Sequence, residues 1–531
     1  MPNFFLSIKK YLGHNLTLVS ILIIGFIFRF YKLYEFQYWS TDEELIAHFA
    51  KKIVSEHKLF LISPNFTIAA SIGSAFHMFT GLLYWIANLQ PERVLILGSL
   101  LSFVTMALIY VVGKRLHPTA GIIAATLYAG SFLTSLYDRR WWTLSTGPFL
   151  TVFSIYCLVK IFEHQKKHVA FLALCTAGAW QIDPNLTIIP VAIFLIMYFL
   201  RVVRFTIKDQ LAFYFVIFLS FVPLFIFNLR HPGVLIQPFI KQIHQVAEKQ
   251  PDDFSSSAVH HSLRSVFLKN IWRFPIVYAQ YLFVYPSQSL DANFSWAQEA
   301  TSYFPTVTAV AIIFMLIVSF SGLIHTSNQN INATTLKIVW IFFIVFIVSL
   351  FGFSVVLKKN LGQHFFLVSL PMYYLLIAHG MQLVIRSKYV ILIILLLYVA
   401  VNTLSMAESG FRYPLYQKQR VVSQIALQLA GLKFSLHTIN QGDFVNVGSS
   451  GLFILNNAFP VKSSDYDALN WWYRTQSLFF SAPEVEDAER VVVIGPSEFV
   501  LYTNYVLYKV NSGTIGGVIL DNKAGWFSKK I

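Results

Sequence analysis

Residues 66–88, FTIAASIGSAFHMFTGLLYWIAN, are apolar for long enough to cross a bilayer, and whether they do so decides the architecture of the chain. Counting them as a span moves KRLH (114–117), KIFEHQKKH (160–168), RVVRFTIK (201–208) and RSK (386–388) to the outer side of the membrane. Short loops rich in Lys and Arg are retained on the cytoplasmic side, so the charge pattern rejects that count. Read instead as a helix lying at or dipping into the outer interface, the segment keeps those loops cytoplasmic. Its interior His77 and its Gly and Ser residues suit that position.

Working outward from this choice gives a polytopic chain. The sequence is 56% hydrophobic and only 12% charged, which excludes a soluble protein of 531 residues. Runs such as YVILIILLLYVAVNTLSM (389–406) match the length of a helix crossing a hydrocarbon core of about 30 Å. The spans drawn are 16–33, 93–112, 118–136, 145–162, 168–182, 185–203, 211–228, 304–324, 336–356, 365–385 and 389–406, about eleven in all. Lys9 and Lys10 precede an uncleaved first span, so the N-terminus is expected to be cytoplasmic. The net charge of +15 is spread over short loops, which points to the bilayer surface as partner and not to nucleic acid. The two cysteines, Cys157 and Cys175, lie inside apolar runs and offer neither a disulfide framework nor zinc-ligand spacing.

The outer face then receives a first loop (34–92), YDRRWW (137–142), a second long loop (229–303), KKNLGQH (358–364) and a tail from about 407. The tail reads differently from what precedes it. Amphipathic VVSQIALQLAGL (421–432) is followed by strand-like RVVVIG (490–495) and VLYTNYVLYKV (500–510). The expected fold is therefore mainly α: a transmembrane helix bundle with interfacial helices over residues 1–406, and a small extracytoplasmic α/β domain over 407–531.

Within the first loop, FQYWSTDEELIAHFAKKIV (36–54) sets Asp42, Glu43 and Glu44 in a row. Ser40 or Thr41 with Glu43 or Glu44 makes a capping box, and acids in a first helical turn are favoured by the macrodipole, so part of this cluster is structural. The other outward loops carry Asp138, Arg139, Arg140, Arg230, His231, Lys358, Lys359 and His364, which gathers opposite charges on one rim. Arg139 and Arg140 have the planar fork that clamps a phosphate, or else anchor the interface beside Trp141 and Trp142. Asp138 is free to pair with either neighbour. Arg230 and His231 stand equally for a helix end or a substrate contact. Asp183 in QIDPNLT (181–187) fits an Asx or Pro turn better than a metal site.

An acidic pair opening an amphipathic helix just after the first span, followed by an interfacial apolar helix, resembles the GT-C superfamily of lipid-dependent glycosyltransferases. The likeness is to the bacterial branch of protein O-mannosyltransferases and aminoarabinose transferases. ASIGSAFHMFTGLLYWIANLQPERVLILGSLLSFVTMALIYVVGKRL (70–116) is similar to the interfacial helix and second span of that branch. YAGSFLTSLYDRRWWTLSTGPFLTVFSIYCLVK (128–160) resembles its third-span exit, and FIFNLRHPGVLIQPFI (225–240) a Leu-Arg-His turn after a later span. The chain departs from the pattern at Asp138, where many relatives carry Ser, and at Thr143 to Thr146, where they carry an acid or Asn.

The resemblance implies inverting transfer of a sugar from a polyprenyl-phosphate donor to an acceptor hydroxyl at the outer face of the plasma membrane. The leaving group is already a stable anion, so a base and cations suffice. Asp42 is the base chosen, with Glu43 second and Glu44 left to helix capping. Asp138, Arg139, Arg140, Arg230, His231, Lys358 and His364 are the expected substrate-binding residues. No tightly held metal is expected, and a loosely bound divalent cation between Asp42 and phosphate stays open. The alternatives are a multi-pass transporter or flippase, against which speaks the gathering of charge at one interface, and a lipid-linked oligosaccharide polymerase or ligase. The acceptor, whether glycan, lipid or protein, is not legible.

Overall fold

The computed structural model describes residues 2–39, 41–63, 73–199, 202, 205–233, 263–283, 303–325, 331–357, 363–411, 413–438, 449–463, 488–497 and 506–521. The helices relevant here are α1 (Pro2–Phe30), α2 (Thr41–Glu56), α3 (Ala75–Ile86), α4 (Pro91–Leu116), α5 (Pro118–Ala129), α6 (Phe132–Asp138), α7 (Gly147–Phe162) and α8 (His168–Ile182). They continue with α9 (Ile188–Phe194), α10 (Ile207–Arg230), α11 (Leu263–Leu282), α12 (Tyr303–His325), α13 (Ile331–Leu357), α14 (Leu370–Val384) and α15 (Lys388–Glu408). Among the described residues seven helices are long and apolar enough to cross a membrane, and eight if the bent pair α5 and α6 counts as one. Shorter apolar helices over Leu16–Phe30, His168–Ile182 and Asn185–Phe199 fall on three further expected spans. Residues 73–88 of the decisive segment are described, and the helix within them, α3, has 12 residues. At 1.5 Å per residue that is about 18 Å, well short of the hydrocarbon core.

The expected span at 118–136 is not one helix. α5 and α6 meet at a 67° bend, and a buried ion pair explains how the break is tolerated. Arg29, at the end of α1, donates from Nη1 to the carbonyl of Ala129 (2.6 Å) and from Nη2 to that of Tyr128 (3.2 Å), the last carbonyls of α5. The same guanidinium bonds Asp138 Oδ2 from Nη2 (2.7 Å) and Nε (3.2 Å), while Tyr128 Oη donates to Oδ1 (3.0 Å). Ser131 caps α6 by accepting from the Thr134 amide, and Asn402 accepts from the Phe132 amide. Backbone groups freed at the bend thus find protein partners, the condition for irregular backbone at membrane depth. Asp138, expected to pair with Arg139 or Arg140, pairs with Arg29 instead.

The last described part of the chain comprises α16 (Leu415–Leu429), α17 (Ser449–Leu455) and a five-stranded sheet. Its strands are β1 (Phe434–Thr438), β2 (Pro460–Ser463), β3 (Arg490–Pro496), β4 (Val506–Ser512) and β5 (Ile515–Asp521), in the order β2-β1-β3-β5-β4. β1 runs parallel to β2 and β3, and β5 antiparallel to β3 and β4. The apolar face of α16 packs on the sheet at Gly517, where a Cβ would stand 2.5 Å from Ile425 Cδ1. Left-handed Ala430 and Gly431 end α16 and turn the chain into β1.

Candidate active site

α2 opens with Asp42, Glu43 and Glu44 in its first turn, and the structure gives the three acids three different surroundings. Glu43 is buried and its Oε1 accepts from Arg140 Nε at 2.7 Å. Glu44 is equally buried; beyond its own helix it accepts a hydrogen bond from the Gly451 amide of α17, 407 residues away in sequence. Asp42 alone stays accessible, and among the described residues it has neither a hydrogen-bond nor an ion-pair partner. Protein nonetheless surrounds it closely. Desolvation and then the adjacent Glu43 carboxylate push its pKa up to about 6, with Arg140 opposing and Asp183 adding to the rise. Asp42 is therefore a reachable carboxylate set beside buried charged groups.

Arg140 lies beside the same acids. Its guanidinium lies between two aromatic rings, 4.0 Å from the centroid of Trp142 and 4.4 Å from that of Tyr38, while Glu43 holds its Nε. Stacking and the ion pair fix the plane of the fork. The His364 ring meets the edge of Trp142 at 5.4 Å, so the loop before α14 joins the cluster. Asp183 caps the turn at 184–187 by accepting from the Asn185 amide (2.8 Å), as its Asx-turn pattern predicts, and it also accepts from Thr143 Oγ1 (2.5 Å). The cluster therefore draws on the start of α2, the α6 exit, the α8 exit and the 3-10 turn Gln363–Ser369 before α14.

Other expected site residues lie elsewhere. Arg139 is fully buried, donating from Nη2 to the carbonyls of Phe28 and Tyr31 and packing its guanidinium over Phe36 at 5.0 Å. Asp138 is enclosed in the Arg29 network described above. Arg230 is exposed at the end of α10, and His231 packs against Phe227 with ring centroids 4.7 Å apart. Lys358 lies outside the described residues. The YDRRWW segment is packed within the protein: Trp141 and Trp142 are 4% and 6% exposed, Arg139 0% and Arg140 5%. Trp141 bonds Thr80 Oγ1 (2.9 Å), stacks on Phe76 and fits over Gly98, fastening α3 to α4. Among the described residues no three His, Cys, Asp or Glu side chains cluster as metal ligands.

Sequence reasoning passed over Tyr38 and Arg29, and read Trp142 as an interface anchor. Only Arg29 carried a signal, a charge inside the first apolar run, which in a membrane chain calls for a buried partner.

Fold and site together define a mainly helical polytopic membrane protein with a cluster of acids and a cation beside a small α/β unit. Comparison with protein-family models finds no match, and neither does comparison with curated proteins. Among solved structures the chain is similar to ArnT from Cupriavidus metallidurans bound to undecaprenyl phosphate, at 12% identity and a TM-score of 0.44, covering 96% of this chain and 98% of that one. The apo state of the same protein gives 12% identity and a TM-score of 0.43, with 95% and 97% covered. The arabinofuranosyltransferase AftD from Mycobacteria gives 14% identity and a TM-score of 0.34, covering 81% of this chain and 29% of that one.

Proposed function

We propose that the protein transfers a sugar from a polyprenyl-phosphate donor to an acceptor hydroxyl, with inversion, at the outer face of the plasma membrane. Residues 1–406 carry the chemistry and 407–531 form an extracytoplasmic α/β domain. Asp42 removes the proton of the acceptor hydroxyl as that oxygen bonds to the anomeric carbon. The bond from that carbon to the phosphate oxygen breaks, and polyprenyl phosphate leaves with the electron pair. Arg140, planar and oriented, meets the departing phosphate, with His364 beside it.

The observation that carries this reading is the division of the three acids: two are engaged, and the third stands unpaired beside a cation braced by aromatic rings. A pKa near 6 leaves Asp42 ionised at neutral pH and a better proton acceptor than a surface carboxylate. Among the described residues the broken helix and the buried charge of Arg29 are features that favour a transporter. The helix's freed backbone groups, however, are already bonded by Arg29, Ser131 and Asn402.

The test is to incubate purified protein with a panel of polyprenyl-phosphate sugars, undecaprenyl-linked donors first, and to measure released polyprenyl phosphate. Asp42→Asn keeps the local shape and helix-start preference but cannot take a proton, so turnover should fall by about 10²- to 10⁴-fold. Turnover at the parental rate in Asp42→Asn would end the assignment.

A further inference from the structure

The surroundings of α2 hold more than its acid. Glu44 and Lys51 lie about two turns apart, hence on one face of α2, and that face packs against α17. Glu44 accepts from the Gly451 amide in the first half of α17. Lys51, 6% exposed, donates from Nζ to the Ile454 carbonyl and to Asn457 Oδ1 (2.7 Å) at the other end. An anion thus meets the amide end of α17 and a cation its carbonyl end, as the helix dipole favours. The approach is close: a Cβ on Gly451 would stand 2.5 Å from Glu44 Cγ and 3.3 Å from its Cα.

Residues just before the acids are held by the same part of the chain. The Leu415 amide donates to the Gln37 carbonyl (3.0 Å), and buried Lys418 donates to the Trp39 carbonyl (3.2 Å). Phe411 packs its ring against both Phe36 and Tyr38. The first turn of α2 is therefore gripped on both sides by residues from 411 onward.

We infer that Glu44, with Lys51, is a positioning residue: it clasps α17 so that the C-terminal unit sets where Asp42 stands relative to Glu43, Arg140 and Asp183. The catalytic consequence rests on the reading of Asp42 as the base; the clasp itself does not. Asp42 follows Glu44 by way of two peptide units, so releasing the clasp lets the first turn move. Movement toward water or toward Arg140 lowers the Asp42 pKa in either case.

The experiment titrates the Asp42 carboxyl in purified full-length protein by infrared difference spectroscopy, the band being assigned by its loss in Asp42→Asn. Glu44→Ala and Gly451→Ala should lower the midpoint by about one unit or more. Glu44→Gln, whose Oε1 still accepts from the Gly451 amide, should restore the parental midpoint. Gly451→Ala keeps every charged group, so it decides the matter if Glu44→Ala fails to fold. An unmoved midpoint in Gly451→Ala, or in a folded Glu44→Ala, overturns the clasp. A wild type that moves no sugar while these variants shift the titration removes the base assignment and leaves the clasp standing.

Discussion

Replacing Asp138 by Asn should destabilise the protein strongly without touching Asp42 or Arg140 directly. The carboxylate receives two bonds from Arg29 and one from Tyr128, with Arg29 wholly buried. Asn removes the charge and leaves the guanidinium buried without its counter-ion, a loss of about 3–5 kcal/mol for one partner of such a pair. Arg29→Leu should cost as much, because it strands the carboxylate, and it also frees the carbonyls of Tyr128 and Ala129. In the double variant Arg29→Leu/Asp138→Leu neither member of the pair is left behind without the other. Its cost reduces to the bonds lost by the two carbonyls and by the Tyr128 hydroxyl, about 1 kcal/mol each, so about 3 kcal/mol in all. The signature is therefore a double variant more stable than either single one, read from reversible denaturant unfolding of detergent-solubilised protein. Should Asp138→Asn unfold within about 0.5 kcal/mol of the parent, an ordinary surface effect, while donor affinity is lost, Asp138 serves the ligand and the argument from the ion pair is wrong.

Three further outcomes follow from the site and the topology. Turnover should fall as pH drops through about 6, because Asp42 works ionised, leaving about a tenth at pH 5; a rate independent of pH from 5 to 8 contradicts the base. Arg140→Lys, which loses the planar stack between Tyr38 and Trp142 and the Nε bond to Glu43, should weaken donor binding about tenfold with the fold intact, as donor titrations will show. Reporter fusions after Leu116, His164 and Ser387 should read cytoplasmic, and those after Pro64, Asp253 and in the tail outside; an outer signal at His164 would restore 66–88 as a span.

What the sequence determined on its own was whatever depends on neighbours along the chain. Apolar length marked the runs that became α4, α7, α10, α12, α13, α14 and α15, since covering a helix in lipid needs only consecutive residues. The Ser, Thr and acid pattern marked the start of α2, because helix starts are satisfied locally. RVVVIG was legible as a strand, whereas β1, which pairs with it, and β2, which pairs with β1, are short and take their form from that pairing. The bend between α5 and α6 was invisible in a continuous apolar run, because the groups that stabilise it, Arg29 and Asn402, come from helices about 100 and 270 residues away. The same holds for the acids. Asp42, Glu43 and Glu44 are near-equivalent in sequence, and only partners 97 and 407 residues distant engage the last two and leave the first unpaired. Solvation and charge pairing act through space, so which carboxylate is left for chemistry is decided by the packed bundle and not by the order of residues.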